Sequence, residues 1–218
     1  MVTLYHCDGA RSFRPLWMLE EMELAYELKM LPFPPRVFAK DYLALNPLGT
    51  IPLMIDGDTK MTESAGICHY LGVKYGPTPL MVETSDPHYG AFLNWMYFSD
   101  ATLTFPQTLV LRYSQLEPEE RRNPQVSTDY AKWFFGRLRA VEAATARSDT
   151  LCAARFTAAD IVIGYALRLA GTIGLAKDFG PNVAAYWARL QERDGYKRAI
   201  AAEQRAGIEQ NVAPRVRA

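Results

Sequence analysis

The sequence predicts an α+β protein: a small mixed domain of strands and helices, followed by an all-helical one. Three observations carry this. Strand-like runs end near Thr62. A stretch with linker composition follows, Gly76–Pro87, holding Pro77, Pro79 and Pro87. Beyond it the periodic segments repeat apolar residues at three- and four-residue spacing, the helical period. The expected boundaries are 1–76 for the first domain, 77–87 for the linker and 88–218 for the second domain.

Each element has its own signal. Val2–His6 (VTLYH) is a short β-rich run. Arg11–Glu23 reads as a helix, because Phe13, Leu16, Trp17 and Leu19 make an apolar stripe. Pro15 falls near its first turn, where a missing N–H costs little. Tyr26–Leu31 reads as a second strand, and Phe33–Arg36, with two prolines, as loop. Lys40–Leu45 is expected as a short helix and Ile51–Ile55 as a third strand. Asp56-Gly57-Asp58 is a hairpin turn signal, after which Lys60–Thr62 returns as a fourth strand. Glu63–Tyr75 then reads as a helix. A βαβ unit, a linking helix and a ββα unit make a thioredoxin-like order. Helices are expected over Tyr89–Ser114, Ser127–Arg147, Thr157–Ile173 and Val183–Glu192, with a short final one over Tyr196–Glu203.

Composition narrows the function classes. The 218 residues are 49% apolar, enough to bury a sizeable core. Lysine plus arginine equals aspartate plus glutamate, 24 each, so charge gives no case for nucleic acid or an anionic membrane as partner. No run of about 18 apolar residues is present, and none is expected to span a membrane. The start lacks a basic segment followed by an apolar one, so no signal peptide is expected. Cys7, Cys68 and Cys152 are an odd number at wide spacing, neither a disulfide framework nor a zinc pattern. No metal is expected, and the expected compartment is the cytoplasm.

Two segments suggest chemistry. In Asn46-Pro47-Leu48-Gly49-Thr50-Ile51-Pro52 a proline opens a strand. In a thioredoxin-like fold a cis bond there turns the preceding residue's N–H and C=O toward a bound peptide. Cis bonds make up about 5–6% of X-Pro bonds, and a trans proline at a strand start is the ordinary alternative. In Thr62-Glu63-Ser64 a helix begins, where unpaired N–H groups and the dipole suit a carboxylate ligand. Taken singly, such a pattern is more commonly a plain helix cap by Thr62 or Ser64.

Together these segments resemble the amino-terminal domain of the glutathione S-transferases: Asn-Pro-Leu-Gly-x-Ile-Pro, an Asp-Gly turn, then Glu-Ser opening a helix with Ile67, Tyr70 and Leu71. Phe156-Thr157-Ala158-Ala159-Asp160-Ile161 is a capping box with Asp160 at its third helical position. It resembles the helix-start motif of the family's second domain. The resemblance implies that Ile51 pairs through its backbone with the cysteinyl part of glutathione and that Pro52 is cis. Glu63 and Ser64 would hold the γ-glutamyl group, and Lys40, with Arg36 as competitor, the glycine carboxylate. It implies a homodimer, in which Asp100 reaches the partner's γ-glutamyl amine. Each of Lys40 and Asp100 is equally well explained as a solvated side chain.

The thiol-activating residue is open among several candidates in Tyr5–Ser12. Glutathione reacts as a thiolate, so a donor or positive potential is needed near the first helix. Ser12 sits at the helix start and is of a type many relatives use. Arg11 brings charge and occupies roughly the place of the bacterial beta-type cysteine. Cys7 falls at the place of the active-site cysteine of omega-type relatives, and Ala10 excludes a dithiol cycle. Tyr5 lies in the strand. Ser12 is favoured over Cys7, whose reaction would be a mixed disulfide instead. Phe92, Trp95, Tyr97, Phe98, Phe105 and Tyr113 divide between core and a pocket for an apolar electrophile. The expected function is a detoxifying transferase that joins the thiolate of glutathione, its cosubstrate, to such an electrophile. The alternatives are a glutathione-dependent peroxidase or thiol-disulfide oxidoreductase, and a glutathione-binding protein without catalysis.

Overall fold

The computed structural model describes residues 1–214; residues 215–218, the end of the expected second domain, lie outside the described residues. The chain divides into two compact units. Among the described residues one is Met1–Thr78 together with 191–214, and the other is Pro79–Leu190.

In the first unit β1 (Val2–His6) alternates buried and half-buried residues, as a strand with one covered face must. It is followed by α1 (Phe13–Glu21), β2 (Tyr26–Met30), α2 (Pro35–Phe38), a 3₁₀ turn (Lys40–Ala44), β3 (Leu53–Asp56), β4 (Thr59–Met61) and α3 (Ser64–Lys74). The sheet order is β2-β1-β3-β4. β1 and β2 are parallel, while β3 is antiparallel to both β1 and β4. This is the thioredoxin-like α+β arrangement that the element order predicts. One segment differs: α2 forms where two prolines suggested loop, because Pro35 opens it at the first helical position, where no N–H is needed.

Two carboxylates, Asp56 and Glu21, tie the elements of this unit together. Asp56 ends β3 and accepts from Tyr70, Tyr75 and Lys74 of the α3 end at 2.9, 2.8 and 3.0 Å. Burial pushes its carboxyl up, but these three donors outweigh that and hold it below the usual carboxylate range. Glu21 takes the Arg193 guanidinium through two bonds of 2.8 Å each and the Trp17 indole N–H at 2.9 Å.

The last helix of the chain, α9 (Asp194–Glu209), is twice as long as expected. Its Ala199, Ala202 and Ala206 are buried at helical spacing, and small residues there let it lie close against α1. Tyr196 meets the rings of Phe13 and Trp17 edge-on. Beyond α9, the Gln210 amide accepts from the Met30 N–H and donates to the Leu28 carbonyl, both at 2.8 Å, completing the hydrogen bonds of the sheet's β2 edge. The expected second domain, 88–218, therefore differs from the observed division in this helix. Sequence proximity groups α9 with the other helices; its contacts place it with the first unit.

The second unit holds α4 (Tyr89–Phe98), α5 (Phe105–Leu111), α6 (Pro124–Thr145), α7 (Ala158–Thr172) and α8 (Pro181–Glu192), the last continuing past Leu190. The single helix expected over Tyr89–Ser114 is instead interrupted by π-helical segments at Ser99–Thr104 and Arg112–Leu116. Pro106 gives the reason for the first: it has no N–H for the Thr102 carbonyl, and its ring displaces that carbonyl. The Thr104 hydroxyl then takes the Ser99 carbonyl at 2.6 Å.

α7 is buried from Ala158 through Leu167 and forms the centre of this unit. Its start is the predicted capping box. Asp160, fully buried, accepts from the Thr157 N–H at 2.8 Å, the Thr157 hydroxyl at 3.2 Å, the Leu151 N–H at 3.1 Å and the Tyr186 hydroxyl at 2.8 Å. Burial pushes its carboxyl up, and these donors offset that only in part. Asp160→Ala leaves four buried donors without their acceptor. The expected cost is about 2 kcal/mol, from the lost cap and the orphaned donors. Chemical denaturation reads it, and an unchanged midpoint would refute this role. Among the described residues no helix is long and apolar enough to cross a membrane.

Candidate functional site

The motif Asn46–Pro52 builds a rigid approach to β3. The buried Asn46 amide donates to the Thr50 carbonyl at 2.8 Å and accepts from the Leu48 N–H at 3.2 Å, closing the turn on itself. The Tyr42 hydroxyl donates to the same Thr50 carbonyl at 2.7 Å. Burial pushes the Tyr42 phenol up to about 12, so it remains a donor at neutral pH. Gly49 has φ +59°, and a Cβ there would lie 2.6 Å from the Cβ of Arg36, so only glycine fits. The turn delivers Ile51, half-buried, and Pro52, buried, with a cis peptide bond between them.

Glu63 and Ser64 stand at the start of α3. Glu63 is the extended cap residue of the helix, and its side chain makes no capping hydrogen bond. Its carboxylate is exposed and forms no ion pair among the described residues. Ser64 is buried, and its hydroxyl accepts from Nη1 of Arg14 at 2.9 Å. Arg14 comes from α1 and is itself completely buried. A permanent positive charge thus lies directly beneath a positive helix terminus. Sequence reasoning passed over Arg14. The signal was there: a charged residue among Phe13, Pro15, Leu16 and Trp17, all buried.

The turn from β1 into α1 sorts the activation candidates. Cys7 is completely buried, and its thiol donates to the Pro32 carbonyl at 3.8 Å. Ser12 is completely buried, and its hydroxyl oxygen accepts from the Cys7 N–H at 3.4 Å. The structure therefore joins these two to each other. Arg11 and Asp8 are the partly exposed residues of the turn. Tyr5 is half-buried in β1, its ring 5.5 Å from that of Tyr42.

The remaining candidates are dispersed. Lys40 is exposed at the start of the 3₁₀ turn and forms no ion pair among the described residues; Arg36 is also exposed. Asp100, in the second unit, is half-buried within the first π-helical segment, a geometry often found at functional sites. The aromatic residues divide as well. Phe92 is core, whereas Tyr97 is 64% and Phe105 47% exposed. Phe105 packs edge-on against Tyr130 and Trp133 of α6, a cluster the sequence reading did not include.

The sequence and the fold are similar to those of known proteins. Residues 10–74 match the family described as "Glutathione S-transferase, N-terminal domain". Over 103 residues the chain is 36% identical to glutathione S-transferase 3 of Schizosaccharomyces pombe, a match spanning 47% of this chain and 43% of that protein. It is 29% identical to glutathione S-transferase hmp2 of Hypomyces subiculosus over 214 residues, covering 92% of this chain and 99% of that one. The fold matches the crystal structure of a glutathione transferase from Methylococcus capsulatus with a TM-score of 0.83 at 23% identity, over 94% of this chain and 99% of the other. The Ile51–Pro52 strand entry and the Glu63–Ser64 helix start both lie inside residues 10–74, the segment that matches the glutathione S-transferase N-terminal domain, and nearly the whole chain is similar in sequence and fold to glutathione transferases.

Proposed function

We propose that this protein is a glutathione transferase that joins the glutathione thiolate to an apolar electrophile. The observation that carries this is the α3 terminus: its cap residue, Glu63, does not cap it through its side chain and holds its carboxylate exposed, and the buried Arg14 charge lies beneath it. An amino acid group fits such a place. Its carboxylate meets the helix terminus and the Ser64 hydroxyl, and its ammonium meets Glu63. The backbone of Ile51 offers its N–H and C=O to the cysteinyl part. Lys40 is the cation offered to the glycine carboxylate.

Arg11 is the residue this reading assigns to the thiol. It is the accessible cation of the β1–α1 turn, while Ser12 and Cys7 are turned inward. A guanidinium stabilises the thiolate by charge and hydrogen bonding. The thiol proton leaves to solvent, the sulfur bonds to the electrophilic carbon, and the leaving group departs with its electron pair. The enclosed position of Cys7 argues against a mixed-disulfide route. A homodimer with Asp100 facing the partner, a cytoplasmic setting and a detoxifying role accompany this assignment.

Steady-state assays test it. With glutathione and 1-chloro-2,4-dinitrobenzene, conjugate and chloride form in equal amounts. Peroxide reduction without conjugation would overturn the transferase reading. Absence of glutathione binding by calorimetry would overturn the binding site as well. Sedimentation at micromolar concentration checks the dimer, and a monomer removes the role of Asp100.

A further inference from the structure

Glu203 is a buried carboxylate that the proposed reaction does not use. It lies on the alanine face of α9 and is 2% exposed. Its Oε1 accepts from the backbone N–H of Gly9 at 2.8 Å and meets Nε2 of His6, 0% exposed, at 2.8 Å. Packing against α1 needs only another small apolar residue at this place. A carboxylate costs several kcal/mol to bury unless it is paired and hydrogen-bonded. Its partners therefore define its purpose.

His6 and Gly9 belong to one short stretch. His6 ends β1, and Gly9 is the left-handed residue of the turn that follows, with φ +64°. The turn also ties itself, through the Ala10 N–H to the Cys7 carbonyl at 3.1 Å and the Cys7 N–H to the Ser12 hydroxyl at 3.4 Å. Glu203 holds it from outside, from a helix 194 residues further along the chain. Nδ1 of His6 has no partner among the described residues. Nε2–H donation to Glu203 is thus the polar bond that fixes its ring.

We propose that Glu203 is a positioning residue: through Gly9 and His6 it sets the backbone of the Cys7–Ser12 turn, and with it the direction in which Arg11 meets the glutathione thiol. This rests on the assignment of Arg11 above. A displacement of about 1 Å at a reacting group costs on the order of 10²-fold in rate, so even a partial loosening of the turn is measurable.

Two variants separate reach from charge. Glu203→Gln keeps an oxygen at the same distance for the Gly9 N–H and loses the charge. Glu203→Asp keeps the charge and withdraws the oxygen by one methylene. Glutathione titration counts the working sites in each preparation. Per site, Glu203→Asp is expected to lower kcat about tenfold with KM for glutathione within about twofold. Glu203→Gln is expected to recover most of that kcat. Amide exchange at Gly9 quickens in the aspartate variant only.

Wild-type kcat in Glu203→Asp, or equal losses in both variants that follow melting temperature, would overturn the proposal. A slow Arg11→Ala beside a wild-type-like Glu203→Asp overturns this inference alone. A wild-type-like Arg11→Ala, or a parent protein that does not conjugate, removes the underlying assignment first and this inference with it.

Discussion

Arg11→Ala is expected to slow conjugation of glutathione to 1-chloro-2,4-dinitrobenzene about 10²-fold, the usual loss on removing one donor from a developing anion. KM for glutathione should change little, because the γ-glutamyl contacts proposed above lie on α3, a different element. The cause is the thiol. A free thiol ionises near pH 8.5, and a neighbouring cation lowers that value. Without Arg11 the thiolate loses its cation, so the apparent pKa of the bound thiol rises and the acidic limb of the pH profile moves to higher pH. Arg11→Lys should fall between, since an ammonium supplies charge without the planar fork of donors. Ser12→Ala is the matching control. Its hydroxyl serves the Cys7 N–H inside the turn, so it should cost stability and leave the pH profile in place. A fast Arg11→Ala with a slow Ser12→Ala would return the role to Ser12.

Glu63→Ala is expected to weaken glutathione binding by roughly 1.5–3 kcal/mol, about 10- to 150-fold, as for a lost charge-assisted hydrogen bond. The structure makes this a clean experiment. Glu63 is exposed, makes no ion pair among the described residues and does not cap α3 through its side chain. Its removal should therefore leave the fold unchanged. Glu63→Gln retains an acceptor without charge and should recover part of the loss. Calorimetry with glutathione measures both, and unchanged affinity in Glu63→Ala would defeat the assignment. Ophthalmic acid, which carries the same γ-glutamyl group and lacks the thiol, should show the same loss, since Glu63 acts on the amino end of the ligand.

Elements whose pattern is local were legible in the chain. β1 announces itself as a short β-rich run, the β3–β4 turn by Asp56-Gly57-Asp58, and α7 by the Thr157–Asp160 box. The helix expected over Tyr89–Ser114 failed at Pro106, a local signal overlooked within a strong apolar period. Candidate binding residues were legible for a similar reason. Ile51 and Pro52 are tied to the backbone geometry of a strand entry, and Glu63 and Ser64 to a helix start, both of which a sequence displays directly.

The sequence by itself determined the element order and the thioredoxin-like sheet, because both depend on spacing along the chain, and its resemblance to the glutathione S-transferases supplied the candidate binding segments. Only the tertiary structure decided which side chains of Tyr5–Ser12 face outward. Cys7 and Ser12 are turned inward by bonds to Pro32 and to each other, and Arg11 stays accessible. It alone revealed Arg14 beneath Ser64, and Glu203 holding Gly9 from the last helix. Such roles come from burial and from contacts between residues far apart in the chain. Periodicity carries no record of those contacts, since it is set within a few residues while a buried charge is defined by whatever the fold packs around it.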